Sequence, residues 1–242
     1  MRNNKVVLIT GASRGIGRGI ALAFAGAGFT IAAVYHKEVS KARELKSGIE
    51  GAGGACEAFQ CDVSDASSVK LMAGRVTERL GKISVLINNA GICRDSIVVN
   101  MSEVDWDEVL RTDLNGPFLV IRECAELLEK DGGAIINISS IAGVRGNFGG
   151  ANYAAAKAGL IALTKTAAKE LGPQKITVNA VLPGFHLTDM GGAMPEKYSQ
   201  KIKTDSVLGL TTDIKELADF VVFLSGMKTV SGQVFNWDSR VI

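Results

Sequence analysis

Short apolar runs rich in β-branched residues alternate along this chain with longer stretches in which apolar positions recur every three or four residues. Residues 5–10, 30–35, 55–61, 84–88, 133–138, 177–182 and 234–236 read as strands, and residues 16–25, 40–49, 67–80, 101–129, 153–171 and 213–224 as helices. Several strands are apolar at consecutive positions, as expected when helices cover both faces of a parallel sheet. The alternation predicts a doubly wound, Rossmann-like α/β fold. No Pro/Ser-rich linker, repeat or compositional break divides the 242 residues, so a single domain, 1–242, is expected. Ser102 with Asp105 three residues on is a capping signature for the longest helical stretch, which Gly116-Pro117 should kink or divide.

The segment 185–210 breaks the alternation. It is rich in glycine, methionine and lysine and follows the strand that ends at Pro183-Gly184. A long insertion after the carboxyl end of such a strand overlies the ligand crevice, which predicts a substrate lid.

Charge and cysteine content narrow the function classes. Charged residues make up 21% of the chain and nearly cancel, leaving +2, so neither a nucleic-acid-binding stripe nor a basic membrane-binding face is expected. The apolar run 19–35 is slightly short for a membrane span, and Gly26 and Gly28 split it into a helix end and a strand. Residues 1–5 lead directly into a strand, so no secretory signal is expected. Cys56, Cys61, Cys93 and Cys124 have no metal-ligand spacing, and with only His36 and His186 besides, no metal site is expected. They read as buried thiols in a reducing, cytoplasmic setting.

Thr10-Gly-Ala-Ser-Arg-Gly-Ile-Gly17 joins the first strand to the first helix. Gly11, Gly15 and Gly17 allow a tight turn and close backbone approach, and the helix N-terminus offers free N–H groups to a pyrophosphate. An NAD-binding site would place Asp or Glu at the end of the second strand. This chain has Tyr35-His36-Lys37 there, with Glu38 expected to point outward. Arg14 and Lys37 supply cations for a 2′-phosphate and His36 lies beside the same ribose, so NADP(H) is expected. At the end of the fourth strand, Asn88-Asn-Ala-Gly91 brings two amides and small residues to the crevice, holding either structural carbonyls or ligand groups. Asp62 reads equally as an adenine acceptor or as a cap on the following helix.

Tyr153 and Lys157, four apart, share one face of a helix. An adjacent cation favours the phenolate and pulls the phenol from its usual value of about 10 toward working pH, giving a proton donor and acceptor. The loop before Tyr153 is long enough to bring a hydroxyl from Ser139 or Ser140 against the same substrate carbonyl.

Together, T-G-A-S-R-G-I-G, N-N-A-G, S-S with Y-x-x-x-K, and Pro183-Gly184 with Thr188 resemble the short-chain dehydrogenase/reductase family over essentially the whole chain. Within it, residues 91–95, 147–153 and 183–190 look like the NADPH-dependent reductases of 3-oxoacyl thioesters, carried on acyl carrier protein or CoA. The resemblance implies Ser140, thirteen residues before the tyrosine, as the hydrogen-bond donor to the ketone. It implies Tyr153 as the proton donor, and Lys157 as the residue that holds the nicotinamide ribose and lowers the phenol's pKa. It further implies cofactor contacts at Gly11, Ser13, Arg14, Ile16, Asp62, Val63, Asn89, Ala90, Gly91, Pro183, Gly184, His186 and Thr188, and a homotetramer.

Three features depart from the pattern, one of them the acidic Glu126, Glu129 and Asp131 where carrier-protein reductases often place cations for an acidic carrier, with Lys130, Lys169 and Lys175 available to compensate. Asp113, in Asp113-Leu-Asn-Gly116, stands where the family has the asparagine of a proton relay through water. Aspartate serves if its backbone carbonyl holds that water; activity suffers if an amide donor is needed. Asn236-Trp-Asp-Ser-Arg240 replaces the more usual N-x-D-G-G of a tail that contributes to subunit contacts. Other secondary alcohols, such as sugars, polyols or steroids, and a catalytically decayed cofactor-binding protein are the competing readings.

Overall fold

The computed structural model describes residues 5–128, 132–186 and 204–240. Seven strands form one parallel sheet: β1 (Val6–Thr10), β2 (Thr30–Tyr35), β3 (Ala55–Gln60), β4 (Val85–Asn88), β5 (Ala134–Ile138), β6 (Thr177–Pro183) and β7 (Val234–Trp237), in the order β3-β2-β1-β4-β5-β6-β7. The helices are α1 (Gly15–Gly26), α2 (Val39–Gly51), α3 (Ala66–Leu80), α4 (Glu103–Leu110), α5 (Gly116–Cys124), α6 (Ala142–Arg145), α7 (Ala151–Leu171) and α8 (Ile214–Ser225). Every predicted strand is present, with its ends within about one residue.

Alternation along β1 explains the two cores. Val6 and Leu8 pack with residues of α3, α5 and α7, whereas Val7 and Ile9 pack with α1, α2 and α8. Each fully buried aliphatic side chain of this kind stabilises the fold by roughly 1.5–3 kcal/mol. From β1 the chain builds outward to β2 and β3, then returns to place β4 on the other side of β1. A crevice opens outside the carboxyl ends of β1 and β4 at this reversal.

The predicted helix 101–129 is divided before Gly116-Pro117. α4 passes through a π-helical turn, Arg111–Asn115, into α5, whose first turn carries the proline. Such wide turns are commonly functional, and this one carries Asp113 fully buried. Ser102 caps α4, accepting from the Asp105 amide at 3.1 Å and donating to its carboxylate at 2.6 Å.

Residues 187–203, most of the predicted lid, lie outside the described residues. Both flanks of that segment are tied to the end of β7. Gly184 N–H donates to the Trp237 carbonyl at 3.0 Å, the Thr212 hydroxyl donates to the same oxygen at 3.5 Å, and Val207 N–H donates to the Ser239 carbonyl at 3.1 Å. The Trp237 ring stacks on Phe220, centroids 4.4 Å apart, so it fixes the last strand against α8. No helix among the described residues is long and apolar enough to cross a membrane.

Candidate active site

A cleft of about 430 Å³ follows the crevice from the glycine turn to Tyr153, a size typical of ligand sites. Of the expected site residues, Gly11, Ser13, Arg14, Gly15, Ile16, His36, Asp62, Val63, Asn89, Ala90, Gly91, Asp113, Tyr153, Lys157 and Pro183 line it. Gly11 takes φ +65°, and a Cβ there would lie 2.9 Å from Ala90 Cα, so the turn and β4 can close only around glycine. α1 starts with no side-chain cap and no acidic residue in its first turn. Its free N–H groups and positive dipole end therefore fit a phosphate.

Five expectations place differently, Ser140 among them, since its neighbour Ser139 and not Ser140 lines the cleft. Gly17 lies behind the cleft, where a Cβ would collide with the Gly11 carbonyl oxygen and stand 2.5 Å from Asn89 Nδ2; its smallness serves packing. Gly184 is likewise crowded by the Thr212 side chain. His186 does not line the cleft: its ring is buried, with the Thr212 backbone, Asp213 and Asp238 as polar neighbours. Thr188 lies outside the described residues.

At the β2 end, Arg14, His36 and Lys37 line the cleft as expected, but so does Glu38. The expectation that Glu38 points outward fails because it is the N-cap position of α2, and that helix begins at the cleft rim. His36 Nε2 stands 3.5 Å from Asp62 Oδ2. Asp62 also accepts from the Ser64 amide at 2.9 Å and its hydroxyl at 2.7 Å, while Asp65 caps α3, so Asp62 is not that helix's N-cap. Desolvation raises the Asp62 carboxyl, but the Ser64 bonds and the His36 and Lys37 charges outweigh it and hold the carboxyl below its ordinary value.

Asn89 resolves toward structure. Its Nδ2 donates to the Thr10 and Gly11 carbonyls at 3.0 and 3.2 Å, lacing β4 to the glycine turn. The Thr10 hydroxyl accepts from the Asn89 and Ala90 amides at 2.9 and 3.1 Å. Asn88 and Asn137, paired across β4 and β5, are joined at 2.8 Å, and Asn137 donates onward to Thr164 of α7 at 2.9 Å.

The two serines separate cleanly. Ser139 Oγ donates to the Lys157 carbonyl at 2.9 Å, a structural tie, while Ser140 Oγ accepts from the Ala142 amide at 3.2 Å and is a polar neighbour of the Tyr153 phenol. Lys157 is 4% exposed; its Nζ donates to the Ile138 carbonyl at 3.2 Å and lies 5.4 Å from the Tyr153 ring centroid. Asp113 meets it as an ion pair, Oδ2 to Nζ 3.2 Å, and its Oδ1 accepts from Ile92 N–H at 2.8 Å. Asn152, fully buried, accepts from Tyr153 N–H at 2.7 Å and donates to the Arg94 and Asp105 carbonyls at 3.0 and 3.2 Å, fixing the first turn of α7 against its neighbours.

The expected downward shift of the phenol is not found. Desolvation raises the Tyr153 pKa more than the Lys157 charge and the Ser140 hydroxyl lower it, and Cys93 and Asp113 push it the same way as burial. Burial also lifts Asp113 above the ordinary carboxylate value despite Lys157 and Ile92. For Lys157, desolvation disfavours the ammonium, but Asp113 and Tyr153 hold its pKa above the ordinary value. Cys93, expected to be buried, is partly exposed, and desolvation places its thiol at about 11. Among the described residues, no group of three His, Cys, Asp or Glu side chains is arranged for a metal.

Sequence reasoning singled out neither Asn137 nor Asn152. Asn137 carried a signal, as the one polar residue in an otherwise apolar buried strand. Asn152 sits in an alanine-rich helix start with nothing to mark it.

Fold and site together define a Rossmann-like oxidoreductase with a Ser, Tyr and Lys constellation at the inner end of a nucleotide-sized cleft. The chain belongs to the short chain dehydrogenase family, whose sequence model matches residues 5–199. It is 42% identical over 239 residues, 98% of this chain and 97% of the relative, to a 3-oxoacyl-[acyl-carrier-protein] reductase of Staphylococcus aureus strain N315. Among solved structures it resembles a dehydrogenase/reductase from Sinorhizobium meliloti 1021, at TM-score 0.92 and 34% identity, covering 98% of this chain and 95% of that one. A short chain dehydrogenase from Burkholderia cenocepacia J2315, solved in complex with NADP, matches at TM-score 0.92 and 32% identity over 98% of both chains.

Proposed function

We propose that this chain reduces a 3-oxoacyl thioester, on acyl carrier protein or CoA, to the 3-hydroxyacyl thioester with NADPH. The observation that carries the reading is the placement of Tyr153 beside buried Lys157, whose Nζ lies 5.4 Å from the phenol ring centroid, at the end of a cleft whose other end holds Arg14, His36 and Lys37. The S. aureus relative, a 3-oxoacyl-[acyl-carrier-protein] reductase, supports the substrate class. The B. cenocepacia neighbour's bound NADP supports the cofactor.

The cofactor fits the residues present. The uncapped start of α1 receives the pyrophosphate, Arg14 and Lys37 neutralise a 2′-phosphate, and Lys157 holds the nicotinamide ribose. When bound, NADPH supplies a hydride to the ketone carbon. Ser140 donates a hydrogen bond to the ketone oxygen and fixes its position. Tyr153 delivers its proton to that oxygen as negative charge builds there, which suits a phenol whose burial keeps it protonated. Segment 185–210 serves as the substrate lid, and the assembly is a homotetramer.

Glu38 on the cleft rim favours a second reading in which NADH is accepted, because a carboxylate there suits free ribose hydroxyls. Consumption of NADPH and NADH with acetoacetyl-CoA separates the readings. Rapid use of NADPH supports the first. Preference for NADH overturns the cofactor assignment, consumption only with sugar, polyol or steroid carbonyls overturns the substrate, and binding without turnover overturns catalysis.

A further inference from the structure

Asp113 presents two oxygens with different partners, and only one of them requires a carboxylate. Oδ1 accepts from Ile92 N–H, which an amide oxygen would do equally well. Oδ2 faces Lys157 Nζ at 3.2 Å, where asparagine would turn an NH₂ donor toward an ammonium. The surroundings are built around that oxygen: Gly91 stands beside it, and a Cβ there would lie 2.5 Å from Oδ2. Both partners are almost entirely excluded from water, Asp113 at 0% and Lys157 at 4% exposure. A buried pair of this kind retains its charges only because each has the other.

A lone buried ammonium projects a full positive charge onto a phenol in the same space. Paired with a carboxylate at contact distance it projects a dipole, and that field falls off faster with distance. We propose that Asp113 is a positioning residue that cancels much of the Lys157 charge reaching Tyr153, so that this site is set to donate a proton to a ketone rather than to take one from an alcohol. The inference rests on the reading of Tyr153 as the proton donor and adds a preferred direction to it.

The groups that bear on the phenol come from several elements. Lys157 shares its helix, Asp113 reaches in from the π turn, Cys93 from the segment after β4, and Ser140 from the end of β5. Arg94 and Asp95 act at one remove, through Cys93. Of these, Asp113 is the fully buried carboxylate in contact with the ammonium, and an isosteric change can remove its charge.

The test follows tyrosinate absorbance with pH in the full chain, needs no substrate, and assigns the signal of Tyr153 by subtracting the Tyr153→Phe protein; the chain has three tyrosines. In the parent, the Tyr153 midpoint is expected above the ordinary value of about 10. In Asp113→Asn it is expected to fall by about one pH unit or more, the scale on which a neighbouring charge acts. Equal midpoints in parent and variant overturn the proposal, because a purely structural role for Asp113 would not move the phenol. A parent midpoint below about 8 overturns it as well, and that measurement stands even if the variant does not fold. Failure here leaves the thioester reading untouched, and failure to turn over acetoacetyl-CoA leaves the titration intact.

Discussion

The Ser139 hydroxyl donates to the main-chain carbonyl of Lys157 at 2.9 Å, so the residue that follows β5 is tied to the helix that carries the lysine. The adjacent Ser140 instead accepts from the Ala142 amide and is a polar neighbour of the Tyr153 phenol, so the two serines have different surroundings. Ser139→Ala is expected to cost about 1 kcal/mol of stability, the net worth of one neutral hydrogen bond, while leaving kcat within about threefold. Ser140→Ala is expected to lower kcat by about 100- to 1,000-fold, with little change in the melting temperature. Denaturant unfolding and steady-state kinetics on both variants check the division; equal kinetic losses would show that the roles are not separable.

Behind the cleft, Asn88, Asn137 and Thr164 form a buried polar chain from β4 through β5 to α7. Its members are inaccessible to water, so truncating the middle one strands the Asn88 amide. Asn137→Ala is expected to destabilise by about 2–3 kcal/mol. Replacing Asn88 and Asn137 together by valine removes both partners and suits strand geometry, so the double variant should recover part of that loss. Thermal unfolding of the set tests this: a double variant weaker than Asn137→Ala would mean that the chain contributes more than mutual satisfaction.

The strands were legible because both faces of the sheet are buried, leaving apolar runs too short and too β-branched to be mistaken for helices. The glycine turn was legible because only glycine tolerates the +65° φ at Gly11 and the contact behind Gly17. Long-range polar pairing was not. Nothing local tells Asn89, which laces backbone carbonyls, from an amide that faces ligand, and Glu38 reached the cleft because helix α2 begins one residue after it. The phenol's electrostatics also escaped the sequence. The spacing of Tyr153 and Lys157 gave the attraction correctly, but burial of the ring and Asp113 beside the lysine are tertiary facts, and they reverse the net shift.

His186 offers a pH dependence of known sign. Burial holds its imidazole below the ordinary 6.5, with the Thr212 backbone and the charges of Asp238 and Asp213 only partly opposing. The folded state therefore binds this proton more weakly than the unfolded chain. Stability contributed by the neutral ring is fully present above about 6.5 and is lost as pH falls below it toward the lower folded value. Urea midpoints measured at intervals between about pH 7.5 and 5.5 are expected to decline in the parent. They should decline less in His186→Phe, whose ring fills similar space without titrating. Identical slopes in the two proteins would assign the decline to other groups.

Arg14 stands at the N-cap of α1 and lines the cleft with no acidic partner in the first turn of its own helix. If it meets a 2′-phosphate, its loss should weaken NADPH far more than NADH. Arg14→Ala is expected to raise KM for NADPH about 10- to 100-fold, corresponding to roughly 1.5–3 kcal/mol for hydrogen bonds to a charged group, and KM for NADH by less than about threefold. His36→Ala tests the neighbouring contact. Removing the ring also frees Asp62 Oδ2, now 3.5 Å from His36 Nε2, to repel the same phosphate, so its effect on NADPH should exceed that of deleting a neutral contact. Kinetics with both cofactors at fixed low and high salt discriminate further, because a phosphate contact made by an exposed cation weakens as salt rises. If Arg14→Ala affects both cofactors equally, Arg14 acts on the shared pyrophosphate and the preference for NADPH must come from elsewhere in the cleft.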